Sequence, residues 1–177
     1  MTRVGLVGGL GPESTIDYYQ RILARWSRID PGSTPPIVID SLDATRALGL
    51  AATDRAGMAE YLLGSIRRLA AAEADFATIT ANTPHLVFDD LAARSPIPLV
   101  SIVEACAAEA RGRGARRLLL IGTRFTMEAS FYPDVLGRHG VSVVAPDADD
   151  RAWIHARYVG ELLRGDFRDE TQRILFC

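Results

Sequence analysis

Short apolar runs and helical stripes alternate along the chain, and the alternation itself predicts the architecture. Arg3–Gly8 is an apolar run of strand length that ends in Gly8-Gly9-Leu10-Gly11-Pro12. Glu13–Ser27 follows with Ile16, Tyr19, Leu23 and Trp26 at helical spacing, the pattern of an amphipathic helix. After a loop over Asp30–Pro36 come a second strand, Ile37–Asp40, and a helix from about Arg55 to Ala72 with Met58, Leu62, Ile66 and Leu69 on one face. Phe76–Ile79 reads as a third, buried strand with a polar terminus, Thr80-Ala81-Asn82-Thr83. Pro84 then suits the first turn of a helix, whose apolar face is Leu86, Val87 and Leu91. Three strand–helix units in succession predict a parallel sheet with right-handed crossovers.

Ser95-Pro96-Ile97-Pro98 is the best internal boundary, dividing a first lobe, 1–97, from a second, 98–177. Beyond it the pattern restarts, with strands at Leu99–Ser101, Arg117–Ile121 and Val141–Val144. Helices are expected over Ile102–Arg111, Met127–Leu136 and Asp149–Leu163, and a last one from Gly165 to Cys177. The run Leu118–Ile121 feeding Gly122-Thr123 echoes Val4–Val7 feeding Gly8-Gly9, with Thr126 and Ser14 near the two helix starts. The expected fold class is α/β, with two similar parallel-sheet lobes facing a shared cleft. In such sheets ligands meet the carboxyl ends of the strands, which makes Ala77–Leu91 the centre of the chain. Asn82 and Thr83 stand where chemistry usually happens, with no obvious nucleophile or base beside them.

Composition narrows the chemistry. At 177 residues the chain suits one ordinary domain or two small lobes. No apolar stretch reaches the length of a membrane span, and the first strand begins almost at once, so a soluble, cytoplasmic protein without a membrane partner is expected. A net charge of −2 without a basic tract argues against nucleic acid. Twenty arginines and no lysine exclude a pyridoxal phosphate aldimine and a P-loop. Cys106 and Cys177 stand far apart, as do His85, His139 and His155, so neither a metal nor a cofactor is expected. Cys106, in a helical stretch, reads as a small buried core residue. The glycine turn lacks dinucleotide-binding spacing, and Pro12 removes one amide, so its expected guest is a carboxylate at a helix start.

Three stretches together resemble the aspartate/glutamate racemase family, in its aspartate racemase branch. They are Val7-Gly8-Gly9-Leu10-Gly11-Pro12-Glu13-Ser14-Thr15, Ala81-Asn82-Thr83-Pro84-His85 and Gly122-Thr123-Arg124-Phe125-Thr126-Met127-Glu128, each at a strand-to-helix junction. The resemblance implies two pseudo-symmetric α/β lobes, a small carboxylate or amino-acid substrate such as aspartate or glutamate, and often a homodimer. It also implies cofactor-independent racemisation, in which one thiolate removes the α-proton and a second thiol returns a proton from the opposite face. Two groups are needed because one reaches only one face. By the same resemblance Gly9, Leu10, Asn82, Thr83, Thr123 and Thr126 are substrate contacts.

The sequence departs from the family at the first catalytic position. Where the family has Cys-Asn-Thr, this chain has Ala81-Asn82-Thr83. Alanine moves no proton, and Thr83, the hydroxyl left as a catalytic candidate, needs activation by a neighbour. His85 could activate such a hydroxyl, or else orient or cap on the helix face. The family's second cysteine belongs to a Gly-Cys-Thr-Glu turn that would lie beyond residue 177, and Cys177 lies in the wrong element to replace it. The second lobe is therefore expected to be incomplete. Two alternatives to racemase turnover stay open: a degenerate carboxylate-binding relative, and a one-base isomerase or decarboxylase.

Overall fold

In the computed structural model, which describes residues 2–176, the chain forms two compact units, divided between Ile102 and Val103. In the first unit the strands are β1 (Val4–Gly8), β2 (Ile37–Ser41), β3 (Phe76–Ile79) and β4 (Leu99–Val100). They form one parallel sheet in the order β2-β1-β3-β4. The β1–β3 register sets Val7 against Ile79, so the two central strands end side by side. Leu99–Val100, expected to open the second lobe, pairs instead with Ala77–Thr78 as an edge strand of the first sheet.

The helices of this unit are α1 (Pro12–Trp26), α2 (Ala44–Thr53), α3 (Arg55–Ala71) and α4 (Phe88–Arg94). Two aspartates start the second and third. Asp43 accepts from the amides of Thr45 and Arg46 at 2.8 and 3.2 Å, and Asp54 accepts from Gly57 at 2.8 Å, so each satisfies amides that helix geometry leaves orphaned. Met58, Leu62, Ile66 and Leu69 form the buried face of α3 and join Val7, Ala77, Ile79 and Leu91 in one core cluster. Arg68, on the other side of α3, grips Asp40 of β2 through two bonds of 3.0 and 2.7 Å. That grip holds the Asp40 carboxyl below its ordinary range.

Two elements of the first unit differ from the sequence reading. The helix expected at Pro84 is a 3₁₀ turn, Thr83–Val87, followed by α4. The apolar stripe of α1 is not a buried face: Thr15 is its buried residue, while Ile16 and Tyr19 are 50% and 41% exposed. Helical spacing reports that a stripe exists, and what covers it is a tertiary matter.

The second unit follows as α5 (Ile102–Gly112, which starts at the last residue of the first unit), β5 (Arg117–Leu119), α6 (Arg124–Glu128), α7 (Phe131–Arg138), β6 (Ser142–Val144), α8 (Ala148–Gly160) and α9 (Asp169–Phe176). β5 and β6 pair in parallel, and a bond from the Leu120 amide to the Val144 carbonyl, 2.8 Å, extends the ladder. The run read as the buried strand Arg117–Ile121 is shorter and leaves Leu119 63% exposed. The single helix expected over Met127–Leu136 is two, because Ala129 takes an extended conformation between α6 and α7.

Cys106 is half-buried rather than a core residue, and burial raises its thiol pKa. Ion pairs brace the second unit. Glu104 of α5 receives Arg138 at 2.9 Å and pairs with His139 at 3.0 Å, and the buried Glu161 accepts from Arg157 of α8 and Thr171 of α9. The helix expected from Gly165 starts at Asp169, as α9, after a 3₁₀ turn, Leu162–Arg164, and a left-handed Gly165. Cys177 lies outside the described residues.

Candidate functional site

The glycines after β1 admit a neighbouring backbone. Gly9 has φ 78°, and a Cβ there would lie 2.3 Å from the Leu42 carbonyl oxygen, so both the torsion and the space require glycine. Leu42, just after β2, donates its amide to the Gly8 carbonyl at 2.9 Å. The space beside the Gly9 Cα is thus filled by the turn after β2. Gly9 also donates its amide to Thr15 Oγ1 at 3.0 Å, and the Leu10 side chain joins the core cluster. Neither the Gly9 amide nor the Leu10 side chain is held out toward a ligand.

The adjacent ends of β1 and β3 are joined by hydroxyls. Thr15 Oγ1 lies 3.0 Å from Thr80 Oγ1 and 3.3 Å from the Gly11 carbonyl, and Thr80 Oγ1 lies 3.2 Å from the Val7 carbonyl. Ser14 Oγ is within 2.7 Å of the Gly11 carbonyl and 2.8 Å of the Thr80 carbonyl. Thr15 and Thr80 are both buried. Neither stands among the candidate contacts that the sequence singles out, although a threonine in the first helical turn and another at the end of the neighbouring strand are readable in it.

At the end of β3, Ala81 packs its methyl group against the core, Asn82 is exposed and Thr83 is buried. His85 is buried one turn further on. Its Nδ1 lies 3.1 Å from the Ala81 carbonyl, and its Nε2 lies 3.3 Å from the amide of Ile102, the first residue of α5. An amide can only donate, so Nε2 is the acceptor and Nδ1 carries the proton to Ala81. Burial pushes the His85 pKa down to about 4, against the opposing pull of the Ala81 and Asn82 carbonyls, and the ring stacks on Phe88 at 5.0 Å. A neutral imidazole with both nitrogens engaged ties the turn after β3 to the Ile102 amide.

In the second unit Thr123 and Thr126 open α6. Thr123 Oγ1 accepts from the Thr126 amide at 3.3 Å, the N-cap arrangement, and the two hydroxyls lie 3.1 Å apart. Both side chains are buried. The Arg124 amide donates to His155 Nδ1 at 3.2 Å, so each unit uses a histidine nitrogen to receive the first amide of a helix. Among the described residues no three His, Cys, Asp or Glu converge as metal ligands would, and no helix is long and apolar enough to cross a membrane.

Comparison with known proteins supplies the family. The sequence model of the Asp/Glu/hydantoin racemases matches residues 7–176. The broad specificity amino-acid racemase RacX of Bacillus subtilis (strain 168) is 26% identical over 151 residues, covering 81% of this chain and 64% of that protein. The chain therefore spans less than two thirds of that relative's length. The crystal structure of a Yersinia pestis protein provisionally classed as an Asp/Glu racemase superposes with a TM-score of 0.85 at 32% identity, over 99% of this chain and 77% of that one. An aspartate racemase homologue from Pyrococcus horikoshii OT3 gives a TM-score of 0.76, also at 32% identity, over 98% and 77%. A family match across nearly the whole chain, on a parallel α/β framework with Asn82 and Thr83 at a central strand end, places this chain in the Asp/Glu/hydantoin racemase family.

Proposed function

We propose that this chain binds a small amino acid or dicarboxylic acid such as aspartate or glutamate, through its carboxylate, at the carboxyl end of β3. Asn82 and Thr83 are the principal contacts. The loop after β1 contributes through the backbone at Leu10, since the Gly9 amide is already given to Thr15. Thr123 and Thr126, in the second unit, keep as a separate expectation the substrate-contact role that the resemblance gives them. No cofactor is invoked, and the chain has no lysine for a pyridoxal aldimine. A cytoplasmic, homodimeric protein remains part of the same reading.

One observation carries the proposal: the β3 terminus sets Asn82 and Thr83, the pair to which the resemblance gives carboxylate contact, beside an alanine whose methyl packs on the core. On this reading the residues proposed to bind stand next to a position with no group that moves a proton. His85 offers no substitute, since its ring stays neutral down to about pH 4 and both nitrogens are engaged. This reading is therefore of a protein that binds without inverting its ligand. Likeness to RacX favours a second reading, amino-acid racemisation, which requires a proton acceptor other than residue 81. A one-base isomerase or decarboxylase has the same requirement.

Titration calorimetry with L- and D-aspartate and L- and D-glutamate tests the proposal. Saturable binding of at least one of the four is expected, weakened about tenfold or more by Asn82→Ala, the loss of a hydrogen bond to a charged group. No saturable binding, or binding indifferent to Asn82→Ala, would refute it.

A further inference from the structure

We infer that the buried hydroxyl pair Thr15–Thr80 is the positioning element of the proposed carboxylate site, locking the loop after β1 and the turn after β3 into one arrangement. The inference rests on the reading given above, and it adds two residues to which neither the resemblance nor the comparisons give a role.

Each threonine hydroxyl has one proton to donate and two lone pairs to accept. Thr15 Oγ1 already accepts from the Gly9 amide, at 3.0 Å. Two complete patterns remain. In one, Thr15 donates to Thr80 and Thr80 donates to the Val7 carbonyl. In the other, Thr80 donates to Thr15 and Thr15 donates to the Gly11 carbonyl. Both patterns satisfy every buried group, and both run through the 3.0 Å link between the hydroxyls. The pair thus ties the Gly9 amide, on one side, to the residue immediately before Ala81-Asn82-Thr83, on the other. Ser14 adds a third tie, its hydroxyl lying 2.8 Å from the Thr80 carbonyl.

Packing fixes the same two side chains. A Cβ on Gly8 would fall 2.6 Å from Thr15 Cγ2, so the Thr15 methyl fills the space that Gly8 leaves. Thr80 is 1% exposed and also donates its amide to the Val7 carbonyl at 3.0 Å. A hydroxyl held this way does not turn outward to meet a ligand. Its part is to set where Asn82 and Thr83 stand relative to Leu10. The demand is tight, because errors of about half an ångström in a binding constellation are enough to lose function.

The test compares Thr80→Val, which keeps the shape and removes the hydroxyl, with Thr80→Ser, which keeps the hydroxyl and removes the methyl. Two readouts are taken on the full chain: affinity for the L- and D-forms of aspartate and glutamate, and amide hydrogen exchange at Gly9 and Asn82 without ligand. Thr80→Val is expected to weaken binding about tenfold and to speed exchange at both amides about tenfold. Thr80→Ser is expected to stay within about threefold of the parent in both. Adding Thr15→Val to Thr80→Val should speed exchange at Gly9 further, because the Gly9 amide then loses its own acceptor.

Wild-type affinity in Thr80→Val, or equal losses in Thr80→Val and Thr80→Ser, would overturn the inference. If the parent binds none of the four acids, the carboxylate reading fails on its own, and the exchange data judge the lock: unchanged exchange at Gly9 and Asn82 in Thr80→Val would overturn it. Should Thr80→Val not fold, Thr15→Ser and Thr15→Val provide the same comparison from the other side of the pair.

Discussion

The turn after β1 and the turn after β5 both pair a glycine with threonine hydroxyls, and the hydroxyls go to different places. After β1, Thr15 reaches back to the Gly9 amide and across to Thr80 at the end of the next strand. After β5, the Thr123 and Thr126 hydroxyls face one another, and Thr123 Oγ1 receives the Thr126 amide of α6. The first arrangement ties two strand ends together, and the second caps a helix. Similar residues at similar junctions therefore do unlike work, and the difference lies in whether the adjacent strand presents a hydroxyl. The end of β3 does, through Thr80, the residue that follows it.

The glycines give the sharpest way to break this comparison. Gly9→Ala combines a left-handed torsion with a Cβ placed 2.3 Å from the Leu42 carbonyl oxygen, and is expected to cost about 3 kcal/mol or more. Gly122 has no positive φ, and its added Cβ would meet Thr126 at an ordinary 3.4 Å, so Gly122→Ala is expected to stay within about 1 kcal/mol. Urea denaturation of both variants measures the contrast. Equal costs would erase the distinction between the turns.

The pH dependence probes the first unit's histidine. His85 takes up its proton near pH 4 when folded, against an ordinary value of 6.5. As pH falls below 6.5 the unfolded chain gains a proton that the folded chain refuses, so stability drops through the window from 6.5 to about 4 and levels off below it. The loss over that window amounts to roughly 3 kcal/mol. His85→Gln should flatten the profile between those limits, and an unchanged profile would show that the ring is not the group responsible. The smallest effect belongs to the second turn. Thr123→Ala removes an N-cap and should cost about 1 kcal/mol, largely restored by Thr123→Ser, with no change in amide exchange at Gly9.

Much of this was legible in the sequence. The strand at Phe76–Ile79 and its polar terminus, the α3 stripe from Met58 to Leu69, and the family itself all follow from local pattern and three junction motifs. Other features depend on what comes to lie nearby. The α1 stripe has the same spacing as that of α3, yet Ile16 and Tyr19 stand exposed because helical periodicity does not say what packs upon it. The need for glycine at Gly9 comes in part from the turn at Leu42, thirty-three residues on, which no local pattern announces. His85 reads as a possible activator until the Ile102 amide, seventeen residues on, is found at its second nitrogen. The partnership of Thr15 with Thr80 spans sixty-five residues, a distance across which no motif reports.

The central claim is that the β3 terminus binds a carboxylate while Ala81 withholds the proton-transfer group. Its most direct test follows the α-proton of bound L- and D-aspartate and L- and D-glutamate by NMR in heavy water, for the parent protein and for Ala81→Cys. The parent is expected to bind at least one of these acids and leave its α-proton in place, while Ala81→Cys, carrying a thiol of ordinary pKa near 8.5, exchanges it for deuterium at about pH 8. Exchange by the parent as fast as by Ala81→Cys would contradict the account.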